Sequence, residues 1–340
     1  MGKLYLSIFI SFVILFFVHI AFFILNLFFW ITDGVNVLIE GGNLIENIYY
    51  SKYLKWVILV DTVWLIIALG FAFKRKSYKT DIELHYLQNY ENQIPNVCVM
   101  IPTYNEEENI ESVVKGFFSQ DYVKKVIVVD NNSSDQTVEI AKKNGATVIE
   151  KKVNKGHTDS CIIGFRESLK TDANIIGFSD ADGTFSPNDL EKMIPYLKNC
   201  DMVVGTRQVQ TLTEKGNQNS MFYVWGNLFL AKLLQIKYFS LAHFGIVQLT
   251  DVGCSYRVIR REALLKIIEK LTNPEDKAIL DPKNWLFSLY MTMLAIEKDL
   301  KIVEVPLTFR KRFGVSKSEV TKKSKGIKFG LKFLWFILKR

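Results

Sequence analysis

The sequence predicts an α/β fold with a mainly parallel central sheet, preceded by a two-helix transmembrane hairpin. Three observations carry that expectation. Two long stretches near the N-terminus are almost free of charge, strand-like and helix-like runs alternate after residue 95, and polar clusters fall directly after the strand-like runs.

Leu4 to Ile31 is 28 residues without a formal charge, and Trp56 to Phe73 is 18 residues carrying only Asp61. Both are long enough to span a hydrocarbon core as helices. A cleaved signal would have an apolar core about half the length of the first, followed by a small-x-small site, and none follows. Lys74, Arg75, Lys76 and Lys79 come after the second stretch, whereas the loop from Thr32 to Lys55 holds three acids against two lysines. The positive-inside rule therefore expects an integral membrane protein with its N-terminus and everything after residue 74 in the cytoplasm. Residues 1–80 read as hairpin plus cytoplasmic linker. If the helices end near Ile31 and Trp56, Asn26 and Asp61 sit at matching depth and are expected to hydrogen-bond; His19, seven residues deeper, is less suited to meet Asp61.

Beyond the linker, Val97 to Ile101, Lys125 to Val129, Ala146 to Ile149 and Asn174 to Phe178 are short β-rich runs. Between them Glu107 to Ser119, Asp135 to Asn144 and Gly156 to Leu169 have helical spacing, and a proline-started helix is expected from Pro187 to Leu197. Such alternation gives parallel strands covered by helices, with ligands bound outside the carboxyl strand ends. Three polar clusters fall there: Pro102-Thr103-Tyr104-Asn105-Glu106, then Asp130-Asn131-Asn132-Ser133-Ser134-Asp135, then Asp180-Ala181-Asp182. Turn formation and capping explain any one of them, with Asp135 suited to cap the next helix. Together at one sheet edge they favour a nucleotide site, where two carboxylates can hold a divalent metal against a diphosphate.

Charge and cysteine usage exclude other classes. From Arg310 to Arg340 there are eleven Lys/Arg and one acid, so this segment carries +10 and the rest of the chain −2. No nucleic-acid recognition motif accompanies the basic residues. Ile327, Phe329, Leu331, Phe333, Leu334, Trp335, Phe336, Ile337 and Leu338 are interleaved with Lys328 and Lys332, which suits residues 319–340 to a basic amphipathic helix lying in an anionic bilayer surface. Cys98, Cys161, Cys200 and Cys254 have no metal-type spacing and read as buried, reduced thiols. Met221 to Phe239 is rich in large apolar residues, among them Phe222, Trp225, Leu228, Phe229, Leu233 and Leu234. It reads either as a buried helix or as a membrane-facing one continuing through Phe239 to Ile246.

The clusters resemble those of the family 2 glycosyltransferases, whose fold is the GT-A nucleotide-sugar-binding domain. The likeness covers residues 95–318. It sharpens at Gly205-Thr206-Arg207, at Asp251-Val252-Gly253-Cys254-Ser255-Tyr256-Arg257 leading to Arg260-Arg261, and at Val305-Pro306 followed by Arg312-Phe313-Gly314-Val315-Ser316-Lys317. That combination is similar to the dolichyl-phosphate mannose synthase branch, which transfers one sugar from a nucleotide donor to a polyprenyl phosphate.

Carried over by position, the resemblance implies donor contacts from Pro102, Tyr104, Glu106, Val129, Asp130 and Asn131. Asp180 and Asp182 would hold Mg²⁺ or Mn²⁺, and Arg207, Arg312 and Lys317 would grip phosphates, with Asp180, Asp182 and Arg207 forming the catalytic group. The implied partners are a GDP- or UDP-linked sugar, a polyprenyl phosphate and the lipid bilayer, with no nucleic acid. A phosphate acceptor, mostly dianionic at neutral pH, needs no general base, so direct displacement with inversion is expected. A processive polysaccharide synthase would carry Gln-x-x-Arg-Trp, which is absent from the sequence; a non-catalytic, membrane-tethered nucleotide-sugar-binding protein is the non-enzyme alternative. The sequence departs from the family's pattern with Asn131, Thr184 and Tyr290 at positions that are often acidic or otherwise polar, and with Lys215 as the only basic residue soon after Arg207.

Overall fold

The computed structural model describes residues 2–41, 52–74, 95–208, 212–214, 221–238, 249–282, 284–311 and 323–340. It divides into two compact units: Met1–Ser77 with Phe239–Phe244 and Phe336–Arg340, and Tyr78–Tyr238 with Gly245–Trp335.

In the first unit, helices α1 (Gly2–Glu40) and α2 (Lys52–Lys74) lie against each other. The stretch Val13–Glu40 is long and apolar enough to cross a membrane. The expected polar pairing is corrected here. Nδ1 of His19 lies 2.6 Å from Oδ1 of Asp61, so Asp61 meets His19. The expectation assumed that the first helix ends near Ile31, but α1 continues to Glu40, and this shifts the level at which α2 runs beside it.

The second unit is built on a seven-stranded sheet of order β3-β2-β1-β4-β6-β5-β7. The strands are β1 (Val97–Thr103), β2 (Val123–Asp130), β3 (Thr147–Glu150), β4 (Ile175–Phe178), β5 (Met202–Thr206), β6 (Arg257–Arg260) and β7 (Ile302–Pro306). Every residue of β1 is buried, as its continuous apolar run requires of a central strand covered on both faces. The interspersed helices are α3 (Ile110–Phe118), α4 (Thr137–Lys143), α5 (His157–Ser168), α6 (Leu190–Met193), α7 (Met221–Lys237), α8 (Arg261–Thr272), α9 (Phe287–Glu297) and α10 (Lys323–Lys339). In α3, Ile110, Val113, Val114 and Phe117 recur at helical spacing and all are buried. Each such side chain contributes roughly 1.5–3 kcal/mol through burial.

One expectation needs correction. The helix expected from Pro187 to Leu197 is one α-turn, α6, between 3-10 segments Pro187–Asp189 and Ile194–Lys198. Pro195 lacks an N–H and its ring clashes with the carbonyl four residues back, so a regular helix cannot pass it. The sheet is mainly parallel, as expected: β6 alone of the seven strands is reversed, antiparallel to both β4 and β5, while all other pairings are parallel. This reversal has a functional consequence. Six strands end at one edge of the sheet, and β6, running the other way, delivers the loop that precedes it to that same edge. Strand β1 sits between β2 and β4, so crossovers leave it in both directions and open a crevice at its carboxyl end.

Candidate active site

A cavity of about 880 Å³ opens at this edge, lined on one side by Pro102, Tyr104, Glu106, Asn131, Asp180, Asp182 and Arg207. The loops after β1 and β2 are tied together. Asn105, in the left-handed region at φ 52, receives its Oδ1 contact from the Ser134 N–H at 2.9 Å. In return the Asn105 N–H donates to Ser133 Oγ at 2.9 Å, and the Glu106 N–H to Thr137 Oγ1 at 2.8 Å. Asp135 does act at the start of α4, accepting from the Thr137 N–H at 3.1 Å. Asn131 is held from three sides: its Oδ1 accepts from Lys151 Nζ at 2.6 Å and from the Lys155 N–H at 3.1 Å, and its Nδ2 donates to Asn154 Oδ1 at 2.7 Å.

Two expected donor contacts do not line the cavity. Val129 is fully buried within β2, and the Asp130 carboxylate turns back to accept from the Ser133 N–H at 2.9 Å and its hydroxyl at 2.5 Å. Asp130 therefore shapes the loop that presents Asn131. Arg312, Lys317 and Lys215 lie outside the described residues, as do Phe239 to Ile246. Lys311, immediately before Arg312, lines the cavity.

Asp180 and Asp182 stand where the sequence put them, directly beyond β4. Asp180 Oδ2 accepts from Ser255 Oγ at 2.5 Å, and its Oδ1 lies 3.5 Å from Nε2 of His157. Asp182 Oδ1 accepts from the Thr184 N–H at 3.1 Å and from its hydroxyl at 2.6 Å, so Thr184 orients Asp182. No set of three His, Cys, Asp or Glu side chains able to hold a metal occurs among the described residues. Two carboxylates beside a cavity are nonetheless a fitting donor set for Mg²⁺ or Mn²⁺, hard cations that take one or two carboxylates and complete their shell with substrate phosphate and water.

Arg207, just past β5, meets Asp251 from the loop before β6. Its Nε and Nη2 lie 2.6 and 2.8 Å from the two carboxylate oxygens, a bidentate fork. Burial opposes both charges, but each partner outweighs it, holding the guanidinium above and the Asp251 carboxyl below their usual ranges. The fork uses one side of the guanidinium, whose carbon also lies 5.5 Å from the centre of the Phe309 ring. Nη1 has no partner among the described residues, and Arg207 lines the cavity.

Several site residues were missed from sequence. His157, at the start of α5, follows Gly156 at φ 89, where an added Cβ would fall 2.6 Å from Cβ of Pro282. A glycine before a helix at a strand's carboxyl end was the available signal. Burial would lower the His157 imidazole, but the neighbouring Cys161 sulphur and Asp180 carboxylate hold it above its usual range. Its ring lies 5.0 Å from that of Trp285, whose φ of 52 is one that bulky residues seldom adopt. All four cysteines are free and buried, as expected.

Helices α7 and α10 form the other side of the cavity. Gly226, Phe229 and Leu230 of α7 and Ile327, Gly330 and Leu331 of α10 line it. In α7, Leu230, Ala231, Leu233 and Leu234 are buried, whereas Trp225 is 64% exposed; in α10, Ile327, Leu331 and Trp335 are 50–62% exposed. Met221–Lys237 is thus a helix with one buried face and one exposed face. The site joins a polar floor, with carboxylates and a guanidinium, to an apolar wall.

Comparison with known proteins matches residues 98–268 to the family model described as Glycosyl transferase family 2. The polyprenol monophosphomannose synthase of Mycolicibacterium smegmatis is 30% identical over 227 residues, covering 64% of this chain and 79% of that protein. The undecaprenyl-phosphate mannosyltransferase of Micrococcus luteus is 28% identical over 223 residues, covering 64% of this chain and 84% of its own. Among solved structures, glucosyl-3-phosphoglycerate synthase from Mycobacterium tuberculosis superposes with a TM-score of 0.48 at 17% identity, covering 72% of this chain and 78% of that one.

Proposed function

The chain belongs to glycosyl transferase family 2 and is a glycosyltransferase; on that premise we propose that it moves one sugar from a GDP- or UDP-linked donor to a polyprenyl phosphate, at a membrane, with inversion and with a divalent cation. The observation that carries this reading is the union of a polar floor and an apolar wall in one cavity. A substrate that is phosphate at one end and hydrocarbon at the other fits both.

In this reading the nucleoside lies over the loops after β1 and β2, against Pro102, Tyr104, Glu106 and Asn131. Asp180 and Asp182 hold Mg²⁺ or Mn²⁺, which when bound supplies charge neutralisation for the departing diphosphate. Ser255 and Thr184 fix the two carboxylates, and Arg207 offers its unpaired N–H groups to phosphate oxygen. Arg312 and Lys317 follow Lys311 and are proposed to complete the phosphate grip. An acceptor phosphate oxygen attacks the anomeric carbon as the bond to the diphosphate breaks, and the leaving group keeps the electron pair. The acceptor's second pKa, about 6, leaves it dianionic at neutral pH, so no residue need take a proton. The hairpin of α1 and α2 would hold the protein in the bilayer, with the catalytic unit cytoplasmic.

Incubating the protein in membranes with radiolabelled nucleotide sugars and polyprenyl phosphate should move label into an organic-soluble lipid. Asp182→Asn should reduce that transfer by roughly 10²–10³, the usual cost of one preorganised electrostatic group, without lowering thermal stability. Label in a water-soluble polymer would favour a processive synthase. Nucleotide-sugar binding without any transfer would favour the non-catalytic alternative.

A further inference from the structure

Glu304 is an acid in the middle of β7, between Val303 and Val305, whose side chains are buried. Among the described residues, every hydrogen bond to its carboxylate comes from Thr250 or Asp251. The Thr250 N–H lies 3.0 and 2.9 Å from its two oxygens, the Thr250 hydroxyl 2.7 Å from Oε2, and the Asp251 N–H 3.0 Å from Oε1. The Thr250 hydroxyl, having given its proton to Glu304, accepts from Thr206 Oγ1 at 2.8 Å, and Thr206 Oγ1 accepts from the Gln208 N–H at 3.2 Å. The residues on either side of Arg207 are thereby pinned to one carboxylate. Asp251, whose backbone Glu304 holds, grips the guanidinium of the same arginine.

We propose that Glu304 is a positioning residue that acts through Thr250 and Asp251 to fix Arg207 as an anion-binding group in the cavity. The register supports this. Val204 pairs with Glu304 on β7 and with Arg257 on β6, so β5, β6 and β7 are locked together just short of the edge where Arg207 projects. A carboxylate is required because four donor contacts converge on two oxygens; an amide would present N–H groups where the Thr250 and Asp251 N–H groups already point. Burial raises the Glu304 carboxyl to about 7, and the donors oppose that rise. This inference rests on the reading of the cavity as a phosphate site but not on the identity of the sugar.

The test uses the full-length protein in detergent, with Mn²⁺ and inorganic pyrophosphate as the probe, measured by calorimetry beside glycosyl transfer. Glu304→Gln should weaken pyrophosphate binding about tenfold, and Glu304→Asp, which keeps the charge, should recover part of it. In an Arg207→Lys background, Glu304→Gln should have little further effect, because the arginine it positions is gone. Should Glu304→Gln fail to fold, Thr250→Val removes one donor alone and should weaken binding about threefold. Wild-type-like binding in Glu304→Gln, or losses that simply multiply with Arg207→Lys, would overturn the proposal. Pyrophosphate binding that follows this pattern without sugar transfer would leave the relay standing and defeat the enzymatic reading instead.

Discussion

Glu304 ties proton binding to two quantities that run in opposite directions. Its carboxyl is raised from the usual 4.5 to about 7, so between these values the folded protein holds a proton that the unfolded chain has released. Stability therefore falls as pH climbs through this window and levels off above it. Transfer should rise over the same window, since the donors from Thr250 and Asp251 all require the ionised form. Asp251, itself held ionised by Arg207, is the charged neighbour that adds to the rise. Thermal unfolding measured from about pH 5 to 8 should show the wild type losing more stability than Glu304→Gln, the difference building up below about pH 7; parallel curves would mean that Glu304 does not titrate here. At this scale the sequence was half legible. Asp180, Asp182 and Asn131 could be found because their clusters follow different strands and meet at one sheet edge, a coincidence that turn formation and capping, which explain each cluster singly, do not account for. Glu304 and His157 could not, because their meaning comes from partners 54 residues away at Thr250 and across α5 at Asp180.

The elements show where periodicity carries information and where it stops. α3, α4 and α5 fall within a few residues of their expected bounds, since each has an apolar face and a polar start. The direction of β6 was not legible: its four residues, Arg257–Arg260, read polar-apolar-apolar-polar whichever way the chain runs. Helices α7 and α10 add a testable feature. Gly226 and Gly330 both line the cavity, and a Cβ added at either meets nothing within 4 Å. Glycine in a helix interior costs about 1 kcal/mol relative to alanine, so these positions give up helix stability while keeping the cavity open. Gly330→Leu should therefore hold or raise the melting temperature while raising KM for a long-chain polyprenyl phosphate severalfold and leaving donor KM near its original value. An unchanged acceptor KM would remove this wall from the lipid path.

At the scale of the whole molecule, composition divides a near-neutral body from a C-terminal segment of +10. That division was legible at once, whereas the part the segment plays in the site was not, because charge density marks a surface and says nothing of what the other face of the helix touches. The sequence alone suggested a tether: a basic helix lying on anionic lipid. The cavity, however, is lined by Gly326, Ile327, Phe329, Gly330, Leu331, Phe333 and Leu334 from this same helix, while Lys328 and Lys332 are exposed. Wall and tether can be separated by two changes. Truncation after Lys325 removes the part of the wall that α10 supplies, so transfer to short-chain, detergent-soluble acceptor should fall together with transfer to long-chain acceptor in vesicles. Replacing Lys328 and Lys332 by glutamate spares every wall residue and reverses two charges, each lysine contributing about 1 kcal/mol near an anionic surface. Transfer in anionic vesicles should then drop and depend less on salt, while short-chain transfer in detergent stays close to wild type. If the truncated protein kept its short-chain activity, the helix would be a tether alone. If the glutamate variant lost both activities equally, the charges would belong to the site and not to the bilayer surface.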